Sequence, residues 1–450
     1  MSEVIRIRKG LDIKLTGKAD KIFVKAPRSK TYAVKPVDFH SLTPRIDAKP
    51  CVEVKVGTTI FHDKYRPEIK FTSPVSGIVQ TIVRGDRRRI IEVVIEDDGK
   101  DTAETFLKGD PKELSREQVV ENLLESGLWP SLIQRPYGVI ASPKDTPKAI
   151  FISGFDTSPL APDLDFIMKD SAEDFQVGIN ALTRLTDGKI HIGLDARYPA
   201  AKTYTAVKNA ELHYFRGPHP AGNVGIQIHK ISPINKGEIV WTIKPQDVVA
   251  IGRLFKTGKY DPSMIVAIAG SEVEKPVYYK LIRGAQITPL IDGNLKQENV
   301  RIISGSVLSG KKINKDGYVG FSDAMISVIP EGDEYEMFGW ITPGFKKFSV
   351  SRSFTSWLTP NKEYNLDTNI HGGERAFVVS GEYEKVLPMD IYPVHLLKSI
   401  LVEDIDKMEQ LGIYEVIEED LALCEFVCTS KVEVQSVLRK GLNILRKELE

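Results

Sequence analysis

Cysteine is scarce in this chain, with three residues in 450, and long apolar runs are missing. Three thiols cannot build a disulfide framework, and such sparse use is typical of a reducing compartment. The most apolar stretches, such as SMIVAIAG (263–270), end at glycine or charge after one strand length, whereas a membrane helix needs roughly 20 apolar residues. The N-terminus lacks the apolar core and cleavage site of a signal peptide. We therefore expect neither a membrane span nor a secretion signal.

Several motifs of catalysis and nucleotide binding are also missing. The chain has 34 glycines but no G-x-G, the spacing that lets a backbone approach a dinucleotide pyrophosphate. GSVLSGKK (305–312) approaches a P-loop, but Lys312 replaces the magnesium-binding hydroxyl, so a turn between strands is predicted. The eight histidines include no H-E-x-x-H motif and no close pair, and there is no G-x-S-x-G elbow. The sequence therefore predicts no catalytic residue and no metal site.

Hydrophobic periodicity predicts a multidomain α/β and α+β protein, because 450 residues exceed one ordinary core. Strand-rich residues 50–98 resemble the sandwich of biotinyl and lipoyl carrier domains, and strand–helix–strand alternation after a helix at 113–130 favours an open α/β sheet. We predict four domains: a biotinyl/lipoyl-like β domain (1–105), a Rossmann-like α/β domain (106–258), a small β-grasp, SLBB-like unit (259–335) and a C-terminal helical domain (336–450).

Charge is balanced overall but unevenly placed. Residues 1–35 hold ten Lys and Arg against three Asp and Glu, and residues 403–425 hold nine acidic residues against one lysine. The basic end suits an anionic membrane surface or an acidic partner, or is a solvated strand edge that lysines protect from aggregation. A nucleic-acid footprint needs a larger basic excess with interleaved aromatics, so we expect no nucleic-acid partner.

Two cysteines, Cys424 and Cys428, lie four residues apart in LALCEFVCTSK (421–431). An Fe–S cluster normally takes four thiolates, commonly with C-x2-C spacing, and Cys51 belongs to another predicted domain. If one helix carries both cysteines, their Cβ atoms are about 5–6 Å apart, too far for an unstrained disulfide. We therefore predict small buried thiols that face a core.

Six segments, taken in order along the whole chain, resemble one family. They are similar to the A subunit of the bacterial sodium-translocating NADH:quinone oxidoreductases, whose architecture resembles the NADH-binding subunit of respiratory complex I and the C subunit of the Rnf complex. The segments are GLDIKLTG (10–17), FISGFDTSPLAP (151–162), GPHPAGNVG (217–225), RIISGSVLSGK (301–311), GEYEKVLPMDI (381–391) and EEDLALCEFVC (418–428).

The chain departs from the flavin-binding relatives in a way that bears on cofactors. Those relatives carry a glycine-rich flavin loop after the first helix, whereas this chain has the bulky sequence SGLWPSLIQRPYGV (126–139). The C-x2-C cluster runs of the Rnf-like relatives are absent, and CTSKVEVQ (428–435) lacks the Pro-Gly expected after the second cysteine. The resemblance therefore implies that this chain binds no redox cofactor firmly, and that FMN, FAD, Fe–S and NADH sites belong to other subunits.

The resemblance also implies a subunit that is not catalytic alone. It implies a peripheral protein on the cytoplasmic face of the bacterial inner membrane, within a sodium-pumping NADH:quinone reductase. It would dock on integral membrane and flavin subunits and help to form the quinone site. Sodium passage would belong to other subunits, because no acidic cluster here lies in a membrane segment.

A quinone site needs an apolar slot and one or two donors to the ring carbonyls. We predict quinone contacts from the segment that replaces the flavin loop, with Arg135 or Tyr137 as the donor. A second candidate segment is DFHSLTPR (38–45), which contains His40 and Arg45. The competing interpretation is that bulky residues simply plug the old flavin cavity. The candidate contacts are Trp129, Leu132, Arg135, Tyr137 and His40.

Two other interpretations stay open. The first is a stand-alone soluble ligand-binding or scaffold protein that reuses the flavin-subunit domains of complex I, which predicts a stable monomer without membrane partners. The second is a carrier-domain enzyme that modifies Lys64 in FHDKYRP, which predicts a covalent mass increment. No methionine flanks Lys64 and a proline follows closely, which argues against recognition by a modifying enzyme.

Overall fold

The computed structural model describes residues 3–333, 336–339 and 341–449. The strands in this part of the chain are β1 Val4–Arg6, β2 Asp20–Lys25, β3 Thr31–Val34, β4 Pro44–Ile46, β5 Glu53–Val54, β6 Thr59–Asp63, β7 Lys70–Thr72, β8 Gly77–Arg84, β9 Ile90–Asp97, β10 Ile133–Arg135, β11 Val139–Ile140, β12 Ala149–Ser153, β13 Lys189–Asp195, β14 Glu211–Arg216, β15 Val240–Thr242, β16 Ser263–Ala269, β17 Val277–Ile282, β18 Val300–Ser304, β19 Lys311–Ile313 and β20 Met325–Pro330.

The helices alternate with strands in the middle of the chain and follow one another at its end. They are α1 Arg116–Glu125, α2 Leu164–Met168, α3 Ala172–Leu182, α4 Lys202–Thr205, α5 Val224–Ile231, α6 Pro245–Thr257, α7 Thr288–Ile291, α8 Tyr383–Val386, α9 Pro393–Leu401, α10 Ile405–Gln410, α11 Glu418–Val427 and α12 Val434–Leu449. No helix within the described ranges is long and apolar enough to cross a bilayer.

A seven-stranded sheet in the order β1-β14-β13-β12-β15-β10-β11 forms the middle of the molecule. Strands β1, β14, β13, β12 and β15 run parallel, and β10 and β11 join antiparallel at one edge. Because side chains alternate along a strand, Ile190 and Ile192 enter the main core, while Phe151 packs with Ile228 of α5 on the opposite face. The predicted open α/β domain is confirmed.

The N-terminal unit consists of two small antiparallel sheets. One has the order β3-β9-β8-β5 and the other β4-β6-β7. Their inward side chains, such as Phe61 and Phe71, are buried and stack with ring centroids 4.6 Å apart. Lys64 lies exposed in the turn between β6 and β7. This is the predicted β sandwich.

The third unit is a six-stranded sheet in the order β19-β18-β20-β16-β17-β2. Residues 305–310 connect the antiparallel strands β18 and β19, which confirms the predicted turn at the P-loop-like segment. β2 comes from the N-terminal part of the chain and pairs parallel with β17, while β1 pairs parallel with β14. The first 25 residues therefore join the second and third units. The predicted boundary at 335 falls outside the described residues.

The C-terminal helices α8 to α12 form a separate buried cluster with residues of the α/β unit. Helix α11 ends at Val427, so it does not continue through both cysteines: Cys424 lies within it and Cys428 just beyond it. Both thiols are buried, as expected, and the Tyr383 hydroxyl donates to Cys428 Sγ over 2.9 Å. Burial raises the pKa of Cys424, so this thiol stays protonated at neutral pH.

Candidate functional site

The loop that follows α1 is closed by its own bulky side chains. Trp129 and Leu132 are both fully buried. The Trp129 indole N–H donates to the Ala141 carbonyl over 2.9 Å, and its ring meets Trp241 of β15 edge-on at 5.5 Å. These two predicted contacts therefore lie in the hydrophobic core.

Arg135, the last residue of β10, forms a buried ion pair with the start of α11. Its guanidinium donates to Asp420 Oδ2 and to Glu419 Oε1, each over 2.5 Å, and its side chain is 1% exposed. Burial by itself lowers the pKa of Arg135, but the charges of Asp420 and Glu419 outweigh this effect, and the net pKa is raised. Arg135 is therefore permanently charged and bound within the protein.

Gly225 in the first turn of α5 lies directly against this ion pair. A Cβ atom at this position would be 2.2 Å from Asp420 Oδ1 and 2.4 Å from Arg135 Nη1. Only glycine lets α5 approach so closely. Asn223, which precedes the helix, donates from its side chain to the Glu419 carbonyl over 2.9 Å. The ion pair thus joins β10, α5 and α11.

Tyr137 lies in the tight turn between β10 and β11 and is 9% exposed. Its φ angle is +80° and that of Gly138 is +61°, so the turn is left-handed at both positions. Arg439 of α12 donates to the Tyr137 carbonyl over 2.7 Å and also pairs with Glu418. Burial alone would raise the pKa of Glu418, but the bond from Arg439 lowers it overall. Glu418 is therefore ionised at neutral pH.

His40 approaches the same carboxylate from the N-terminal unit. Its Nε2 is 3.4 Å from Glu418 Oε1, and its side chain is 46% exposed. The two segments selected from the sequence, 38–45 and 126–139, therefore meet at the start of α11. Arg45 points from β4 into solvent and makes no hydrogen bond to this cluster within the described part of the chain.

The acidic start of α11 is the part of the site that the sequence did not predict. Glu418, Glu419 and Asp420 bind two arginines from other parts of the chain, Arg439 and Arg135, and His40 lies beside Glu418. The acidic run at 403–425 was visible, but a run of carboxylates does not reveal its partners. We call these side chains, together with Tyr137, the α11 junction.

A barrel-sandwich domain, an α/β domain, an SLBB-like unit and terminal helices together define the class of multidomain protein to which this chain belongs. Family descriptions agree along the chain. Residues 5–98 match the NqrA N-terminal barrel-sandwich hybrid domain, residues 114–260 the NqrA second alpha/beta domain, and residues 265–315 the NQRA C-terminal domain.

Full-length relatives belong to the same family as these domain descriptions. The A subunit of the Na(+)-translocating NADH-quinone reductase of Yersinia pestis bv. Antiqua (strain Angola) is 41% identical, and that of Photorhabdus laumondii 40%, each over 99% of this chain and 100% of the relative. The Neisseria meningitidis protein of the same name is 40% identical with equal coverage. The chain belongs to the NqrA family, the A subunits of the Na(+)-translocating NADH-quinone reductases, in which the enzyme is a complex of several subunits.

A solved NAD+-reducing [NiFe]-hydrogenase in the H2-reduced state also aligns, over 75% of this chain and 62% of that chain. The TM-score is 0.39 and the identity 11%, values too low to support any functional argument.

Proposed function

We propose that this chain is a peripheral subunit on the cytoplasmic face of a sodium-translocating NADH:quinone reductase. It binds no redox cofactor firmly itself; NADH, FMN, FAD and Fe–S sites lie on other subunits. Its part is to help form the quinone site and to dock on the membrane subunits. The observation that carries the proposal is the convergence of two candidate quinone segments on the α11 junction.

Within the junction the candidate residues have different roles. His40, half exposed beside Glu418, is the group best placed to donate to a quinone carbonyl. Tyr137, in the turn that Arg439 contacts, is the second donor that the sequence predicted. Arg135 is a positioning residue, since both of its terminal nitrogens already bind carboxylates. Trp129 and Leu132 shape the loop from the core. The quinone is then held at a joint between this chain and a membrane subunit.

The test is quinone kinetics in the complex purified from its own membrane. A hydrogen bond contributes about 0.5–1.5 kcal/mol, so Tyr137→Phe or His40→Gln should raise KM for quinone about 2- to 12-fold. NADH oxidation by an artificial acceptor should not change. Tyr65→Phe, at a tyrosine 73% exposed in the N-terminal unit, is the matched control. If neither junction variant alters KM for quinone or inhibitor sensitivity, the loop only fills space.

Docking is supported by residues 341–362, which we call the docking segment. It contains four Lys and Arg and no acidic residue. A short 3-10 turn, Thr355–Leu358, is its only regular element. Large apolar side chains are exposed on it, including Ile341 at 63%, Phe345 at 65% and Leu358 at 62%. Such apolar surface marks an interaction site, and its charge suits a partner face that is apolar with an acidic rim.

The docking segment is fastened to the rest of the protein beside its apolar residues. Lys14 Nζ donates to the Pro360 carbonyl over 3.0 Å, and the Tyr364 amide donates to the Lys14 carbonyl over 2.9 Å. The segment is therefore presented from a fixed base. This arrangement suits a surface that is completed by a membrane subunit.

Affinity purification of the complex tests docking. Phe345→Ser combined with Leu358→Ser should reduce recovery of the membrane subunits at least several-fold, whereas Tyr198→Ser, at an equally exposed residue, should not. Normal recovery with the double variant would exclude this docking surface. Binding of the isolated chain to anionic vesicles would assign the segment to lipid instead. A wild-type chain that purifies as a partner-free monomer would favour the stand-alone binding protein.

A further inference from the structure

The sheet of the α/β unit brings together two histidines and a glutamate that are separated in sequence. His191 lies on β13, and Glu211 and His213 lie on the neighbouring strand β14. In the parallel register His191 is opposite Glu211, and Gly193 is opposite His213. All three side chains therefore project from the same face of the sheet. Strand pairing therefore brings together two histidines that lie 22 residues apart in sequence.

The spacing of their ligand atoms suits one metal ion. His191 Nδ1 is 3.0 Å from His213 Nε2 and 3.6 Å from Glu211 Oε2, and the three ligand atoms all lie within 4.8 Å of one another. In a tetrahedral zinc site with bonds of about 2.0–2.1 Å, neighbouring ligand atoms are about 3.3 Å apart. Two of the three spacings are thus already close to those of a coordination sphere.

Neighbouring side chains fix the position of His191 but leave one oxygen of Glu211 free to bind an ion. Phe151 of β12 stacks on the His191 ring with centroids 4.7 Å apart, and His191 is 7% exposed. Lys189 binds Glu211 Oε1 over 2.5 Å, whereas the second oxygen, Oε2, faces His191. Glu211 is 44% exposed, so water can reach the cluster from its side.

We propose that His191, Glu211 and His213 bind one divalent transition-metal ion of the zinc class. Two imidazole nitrogens and one carboxylate oxygen are the donor set that zinc accepts, with water in the fourth position. The ion would cross-link β13 to β14 in the α/β sheet. Its expected role is structural or regulatory, because the cluster is distinct from the residues of the α11 junction.

The test is titration of the metal-free full-length chain with Co2+, followed by visible absorption, and displacement by Zn2+. Wild-type protein should bind one ion per chain with a tetrahedral spectrum. Loss of an outer-sphere partner costs 10–100-fold in affinity, so loss of a ligand in His213→Gln should cost at least about 100-fold. His62→Gln is the matched control, since His62 also bonds a carboxylate, Asp47 Oδ2, over 2.7 Å.

Glu211→Gln keeps the test decisive if His213→Gln folds poorly, because Glu211 is exposed at the sheet surface and its replacement spares the core. It should weaken Co2+ binding and shift the spectrum. The proposal is overturned if wild-type protein binds no stoichiometric ion, if both ligand variants retain wild-type affinity, or if His62→Gln weakens binding as much as they do. In those cases the histidines form an ordinary hydrogen-bonded pair.

Discussion

Replacement of Arg135 by methionine tests whether the buried ion pair holds α11 to the α/β unit. Methionine keeps the length and most of the volume of the side chain but removes the charge. Asp420, whose side chain is 0% exposed, then retains only the Ile417 amide as a hydrogen-bond donor among the described residues. Loss of one partner from a buried pair costs about 3–5 kcal/mol. Because Asp420 lies in the first turn of α11, the helix dipole offsets about 0.3–1 kcal/mol, so we expect a loss of about 2–5 kcal/mol.

Urea unfolding followed by tryptophan fluorescence measures this loss, since Trp129 and Trp241 lie in the core beside β10. The double variant Arg135→Met with Asp420→Leu removes both charges and should recover at least half of the lost stability. Lys440→Met is the control: Lys440 and Glu403 form a pair with both side chains more than half exposed, and such pairs contribute about 0–1 kcal/mol.

Two results would refute the reasoning. A loss below about 1 kcal/mol in Arg135→Met would mean that water compensates the unpaired charge of Asp420. A double variant no more stable than the single one would mean that Arg135 acts through packing, not through its charge. Hydrogen exchange of α11 locates the effect, because protection there should fall before it falls in β12 and β13.

Three further predictions concern other parts of the molecule. Gly225→Ala should lower the free energy of unfolding by about 1–3 kcal/mol, because the added methyl group collides with the buried ion pair; an increase in stability would contradict the stated contact. Hydrogen bonds from Arg301 and Lys312 lower the pKa of Glu331 to about 2. The wild-type protein should therefore be more stable than Glu331→Gln above about pH 5, and this difference should disappear as the pH falls towards 2. Thermal melts at several pH values measure it. A thiol reagent should titrate one fast cysteine, Cys51, in the folded chain and three after denaturation; two or more fast thiols would show that the C-terminal cluster is open.

The fold class was predictable because its signals are local. Alternation in strands, helical spacing at 113–130 and glycine turns depend on residues a few positions apart, and the structure confirms the four kinds of unit they indicated. Helix α1 begins with a capping box, in which the side chains of Ser115 and Gln118 each accept a hydrogen bond from the other residue's backbone amide. This pattern involves residues only three positions apart. The buried thiols were predictable in the same way, from composition and spacing.

Long-range pairing was not predictable. The sequence placed strands β1 and β2 in the predicted N-terminal domain. In the structure they complete sheets of the second and third units. The edge of a sheet can pair with any strand whose side-chain alternation fits. The sequence of one strand alone therefore does not reveal its partner. The domain boundaries, which depend on such pairings, stay predictions.

The sequence alone determined the kind of protein: its family, its classes of domain and the absence of disulfides. The tertiary structure alone decided which charges and imidazoles meet. Arg135 and Asp420 are 285 positions apart, and His191 and His213 are 22 apart on adjacent strands. The energy of a buried ion pair or a ligand cluster depends on distances of a few ångströms, and packing of the whole chain sets those distances.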